Sequence, residues 1–189
     1  IAREPINGNA DDESGNSLHS IPTDAILTAD RNGVPDSAYQ FRPDVDSQIR
    51  VRHDTILNFE DQFTVSYWAK FDEPWTFHQE SLIYKFNLGD RRGWHLGADQ
   101  NDRRNGPQRY RYALQVGPGG NPIPSAYQIV DFSSLSGWHH VTGTLRDSTI
   151  KFYVNGILVA SSPGPADVPN TTNDLIIGGS VYPVSGAYQ

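Results

Sequence analysis

With 37% hydrophobic and 11% aromatic residues, a chain of 189 residues has enough apolar side chain for one folded core, and disorder is excluded for most of it. Fifteen basic against 22 acidic residues, a formal charge of −7 and a pI near 5.2 exclude the basic footprint that a nucleic-acid backbone requires. There is no cysteine for disulfides, thiolate metal sites or nucleophiles, and no apolar run approaches the roughly eighteen residues that would signal membrane insertion.

Seventeen Gly and thirteen Pro without a collagen period predict many turns and little helix. Between the turn residues, apolar side chains recur every second position. This predicts eleven strands: Ala38 to Phe41, Gln48 to Val51, Phe63 to Phe71, Ser81 to Phe86, Trp94 to Ala98, Tyr110 to Val116, Tyr127 to Phe132, His139 to Leu145, Thr149 to Val154, Ile157 to Ser161 and Leu175 to Ile177. In the clearest of them Phe63, Val65, Tyr67, Ala69 and Phe71 fall on one side, and Thr64, Ser66, Trp68 and Lys70 on the other. His139 and His140 adjoin on a strand, so they point to opposite faces and cannot hold one ion together; both read as structural. Asn155-Gly156 between two β-rich runs predicts a two-residue type I′ hairpin, whose central residues both need positive φ. Long loops are expected at Asn7 to Ser17, Ala29 to Asp36, Asp72 to Glu80, Asp99 to Gln108, Gly117 to Pro124 and Ser162 to Asn173. Long loops on a rigid sandwich are where binding residues concentrate.

Residue chemistry picks out three places. The loop holding Trp75, Phe77 and His78 sets an indole beside Asp72, Glu73 and Gln79, a combination that can stack on a pyranose ring while polar groups take its hydroxyls. Six arginines gather between Arg91 and Arg111. Of these, Arg103, Arg104 and Arg109 are candidates to grip a carboxylated or sulfated glycan through forked hydrogen bonds, while ion pairs to Asp90, Asp99 and Asp102, or to a neighbouring subunit, account for the same cluster. Asn9, Asp11 and Asp12 offer hard oxygen ligands for Ca2+; the alternative is that Asp12 and Ser14 hold the turn by side-chain to backbone bonds. No G-x-S-x-G or H-E-x-x-H pattern occurs, and the acidic pairs lie at turns or strand entries.

The phrases NGNADDESGN at Asn7, SAYQF at Ser37, DQFTVSYWAKF at Asp61 and GWHHVTGTLRDSTIKFYVNGILVAS at Gly137, followed by LIIGGS at Leu175, resemble the laminin-G-like branch of the concanavalin A-like lectin and glucanase superfamily. The resemblance implies one all-β domain over residues 1–189, a jelly-roll sandwich of two antiparallel sheets. It departs at Phe41-Arg42-Pro43-Asp44, where these domains usually show Phe-Asp-Gly and then acidic residues. Such domains usually continue past the segment at Val184 with a further strand, and this chain stops at Gln189. A trimmed chain explains that; so does a strand donated by another subunit. Glucanases of this fold carry a Glu-x-Asp-x-x-Glu strand, which is absent here. The implied function is therefore a non-catalytic recognition or adhesion module on an extracellular, cell or particle surface, with a glycan or protein surface as partner. The alternatives are a structural subunit of a fibre, sheath or phage-like particle, and an atypical glycoside hydrolase.

Overall fold

Alternation of apolar and polar side chains sets the layers. The structure, a computed structural model, describes residues 2–42, 45, 47–71, 80–100, 109–131 and 137–179, with the backbone alone at 80, 81, 99, 100, 109, 110, 130 and 131. Among the described residues thirteen strands run in chain order: β1 (Ser20–Thr23), β2 (Ile26–Thr28), β3 (Ala38–Gln40), β4 (Gln48–Val51), β5 (Phe63–Ala69), β6 (Glu80–Asn87), β7 (Arg92–Gln100), β8 (Arg109–Pro118), β9 (Ser125–Asp131), β10 (His139–Arg146), β11 (Thr149–Val154), β12 (Ile157–Pro163) and β13 (Leu175–Gly178). A seven-stranded sheet has the order β1-β4-β13-β6-β7-β8-β9, a four-stranded sheet the order β12-β11-β10-β5, and β2 pairs with β3. Every pairing is antiparallel. Among the described residues the one helical turn is Thr55–Leu57, capped by Asp54, and no helix is long and apolar enough to cross a membrane.

The two large sheets pack face to face. On β10, His139, Val141, Gly143 and Leu145 point inward, with Ile150 and Phe152 of β11 beside them; Trp94, Leu96, Tyr112, Leu114 and Val116 meet them from β7 and β8. Each such aliphatic or aromatic side chain removed from water contributes about 1.5–3 kcal/mol, and this layer fixes the sandwich. Gly143 leaves room for the facing sheet: a Cβ there would sit 2.9 Å from Leu114 Cδ2. Inside the core, the Tyr67 and Tyr112 hydroxyls lie 3.0 Å apart, so each phenol has a polar partner.

All eleven expected strands are present, and the Asn155-Gly156 turn has φ of 50° and 78°, as type I′ demands. Two strands were not expected. β1 contains Pro22 and lies at a sheet edge, where a residue lacking an N–H is tolerated; β2 is only three residues long. The expected loop at Asp99 to Gln108 is shorter than read, because β7 extends through Asp99 and Gln100, which pair with Arg111 and Tyr110.

Candidate functional site

Register lays out the outer face of the seven-stranded sheet. Pairing from β13 through β9 aligns Ile176, Tyr84, His95, Gln115 and Ser125 in one row. Gly97, Ala113 and Tyr127 form the next, and Phe86, Gly93 and Gly117 flank the first on its other side. Leu96, Leu114 and Ala126 turn into the core, so the residues between them turn outward.

Chemistry on this face is mixed. His95 Nε2–H donates to Gln115 Oε1 at 2.6 Å, and Phe86 stands edge-on to His95 with ring centres 5.6 Å apart. The Arg111 guanidinium lies 5.8 Å from the centre of the Tyr127 ring, within cation–π range. Tyr127 is 49% exposed, whereas Gln115 is 6% exposed. An accessible aromatic ring therefore stands next to the buried Gly97 and Ala113, with an amide and an imidazole paired to each other in the adjacent row. That is the combination with which a pocket takes a sugar, the ring covering C–H groups and the polar atoms fixing hydroxyls.

The opposite outer face carries Trp68, 45% exposed, beside His140 at 5.2 Å between ring centres. Arg31 lies 4.3 Å over the indole, brought there from a loop shaped by Asp30, whose carboxylate accepts the N–H groups of Asn32 and Val34. One side of the Trp68 ring is thus already covered. His139 faces inward, stacked on Phe71 at 5.5 Å, with Nδ1–H donating to the Gly137 carbonyl at 2.9 Å. The two histidines do part to opposite faces.

Asp12 in the opening turn is 7% exposed and accepts four hydrogen bonds. Oδ1 takes the N–H groups of Arg3 and Ser14, both at 2.9 Å; Oδ2 takes the Ser14 hydroxyl at 2.7 Å and the Leu18 N–H at 3.1 Å. Burial opposes its ionisation, and these donors together hold the carboxyl well below its ordinary value. Asn9 Oδ1 accepts the Asp11 N–H at 2.9 Å, and Asp11 sits 3.4 Å from His19. Both Asp12 oxygens thus accept N–H and O–H groups, and these bonds hold the turn.

Trp75, Phe77, His78, Arg103 and Arg104 lie outside the described residues, and Arg109 is described by its backbone alone, as the first residue of β8. The strand ends flanking these segments share one end of the seven-stranded sheet, since Glu80 pairs with Ala98, Gln100 with Tyr110 and Arg109 with Asp131. Arg111 belongs to the arginine cluster read in the sequence, while Tyr84, His95, Gln115 and Tyr127 escaped sequence reading as a site. Their only sequence signal is alternation, which says that they face away from the core and not what stands next to them.

A family model described as the concanavalin A-like lectin/glucanases superfamily, Laminin_G_3, matches residues 43–188. The chain belongs to this family. The Laminin_G_3 match begins beyond the NGNADDESGN turn, so that turn and β1 to β3 lie outside it. No curated protein matches the chain in sequence. Among solved structures, domain 4 of AbnA, a GH43 extracellular arabinanase from Geobacillus stearothermophilus, in complex with arabinotriose, is similar at a TM-score of 0.52 and 16% identity, over 96% of this chain and 84% of that one. At that identity the likeness is one of fold, the concanavalin A-like sandwich.

Proposed function

We propose that this Laminin_G_3 domain is a non-catalytic carbohydrate-binding module working outside the cell, with its site on the outer face of the seven-stranded sheet. The row Tyr84, His95 and Gln115, with the exposed Tyr127 ring beside it, carries the proposal. Hydrolysis of a glycosidic bond needs two carboxylates about 5–9 Å apart across the sugar; the described side chains of these rows supply aromatic, amide and imidazole groups instead. The arabinotriose held by the AbnA domain supports a short neutral oligosaccharide as ligand class. Trp75, Phe77, His78, Arg103, Arg104 and Arg109 are proposed to extend the site from the end of the sheet where their segments are anchored.

Calorimetric titration of the full chain with arabinotriose and a panel of neutral oligosaccharides tests this. At least one should bind, and Tyr127→Ala and Gln115→Ala should each weaken it roughly tenfold, a loss of about 1.4 kcal/mol. A wild type that binds none, or a Tyr127→Ala variant that binds equally well, overturns the proposal.

A further inference from the structure

At the opposite margin of the seven-stranded sheet, a cleft of about 390 Å³ is lined by Ile21, Thr23, Arg50, Arg52, His53 and Asp174. Its position follows from register: Ile21 pairs with Arg50 and Thr23 with Gln48, while Ile49 and Val51 between them are buried. Arg50 lies in β4 and Arg52 just beyond its end, and both line the cleft.

Lys85 settles the chemistry of His53. The lysine is almost fully buried, and its ammonium donates to the Thr171 and Asn173 carbonyls and lies 3.0 Å from His53 Nδ1. An ammonium has no lone pair, so Nδ1 is the acceptor and the ring proton resides on Nε2. With Nδ1 committed to the buried lysine, Nε2–H is the donor left for the cleft that His53 lines.

Charge in the cleft is unbalanced. Asp174 is already engaged, with Oδ1 accepting the His53 N–H at 2.7 Å and Oδ2 standing 3.9 Å from Arg50 Nε. Asp54 is turned away to accept the Ile56 N–H at 2.9 Å. Arg52 makes no ion pair among the described residues. Arg50, Arg52 and the underlying Lys85 thus face one carboxylate, a positive site on a chain of formal charge −7. A guanidinium pair with a fixed N–H donor matches the oxygens of a carboxylate, and the Thr23 hydroxyl and Ile21 side chain offer a polar and an apolar contact beyond it.

We propose that this cleft is a second binding site that takes an acidic saccharide, its carboxylate held by Arg50, Arg52 and His53 Nε2–H as in a uronic acid unit. The choice of a saccharide over other carboxylates rests on the carbohydrate reading above. NMR titration of the full chain with sodium glucuronate, glucose and sodium acetate, at low and high salt, tests it. Glucuronate should shift the amides of residues 50–53, glucose should not, and added salt should weaken binding. Arg50→Gln/Arg52→Gln should weaken glucuronate binding roughly tenfold or more while leaving the fold intact. Equal binding of glucose and glucuronate, or a double variant that binds like wild type, overturns the site; acetate binding as tightly as glucuronate overturns the saccharide assignment. Tyr127→Ala should leave glucuronate binding unchanged, which separates failure of this cleft from failure of the neutral-sugar face.

Discussion

Asn155 and His140 hold each other by two reciprocal hydrogen bonds: the His140 N–H donates to Asn155 Oδ1 and the Asn155 N–H donates to the His140 carbonyl, both at 2.8 Å. The hairpin turn between β11 and β12 is thereby tied to the start of β10. Asn155 satisfies two demands at once, a positive φ of 50° and an acceptor at a fixed place.

Separate substitutions should resolve these demands. Asn155→Gly keeps the backbone conformation and loses the side-chain bond, costing about 1 kcal/mol; Asn155→Ala loses both and should cost about 2 kcal/mol. Asn155→Asp, which keeps the acceptor, should stay nearest to wild type. Urea denaturation measures all three, and an Ala variant as stable as the Gly variant would contradict this division.

Gly143→Ala should destabilise by about 1–3 kcal/mol, because the added methyl meets Leu114 across the sandwich. Shortening the opposing side chain should relieve it. In a double-mutant cycle, Gly143→Ala/Leu114→Ala should be less destabilised than the sum of its parts, whereas simple additivity would show that the clash is absorbed elsewhere.

His139 gives stability a pH dependence. Burial holds this imidazole below its ordinary value of 6.5, with the bond to Gly137 acting against that shift. Below pH 6.5 the unfolded chain takes up a proton that the folded chain refuses. Stability contributed by the neutral ring is present above pH 6.5 and is lost as pH falls from there towards the folded-state value. Denaturant midpoints between pH 7.5 and 5 should fall more steeply for wild type than for His139→Phe, and parallel curves would refute the assignment.

Asp12→Ala should cost roughly 2–4 kcal/mol, since it strands the N–H groups of Arg3, Ser14 and Leu18 at a buried position. The depressed carboxyl also contributes stability above its ordinary value of 3.8 that is lost as pH falls below it. Calcium added after chelator treatment should leave the melting temperature of the wild type unchanged. A rise abolished by Asp12→Ala would instead place the ion on this turn.

The strands from Phe63 to Ala69 and from His139 to Val154 were legible because a pleated chain next to a core must alternate, and Asn155-Gly156 because few residue pairs accept positive φ twice. The neighbouring turn at Asp147-Ser148, with φ of 48° and 51°, carried no such signal: these residues tolerate the conformation without announcing it. Trp68 could be placed opposite the buried series, but not beneath Arg31, since that contact spans a loop and a different sheet.

Local sterics and side-chain period, properties of neighbouring residues, are written in the chain itself, and from them follow the all-β class, the hairpin and the opposed histidines. The candidate sites belong to another order of information. Tyr84, His95, Gln115 and Tyr127 come from four strands, and His53, Lys85 and Asp174 from segments far apart in sequence. Their juxtaposition depends on strand order and register, which are set only when both layers close on one core; a shift of one residue would send every member of a row to the opposite face.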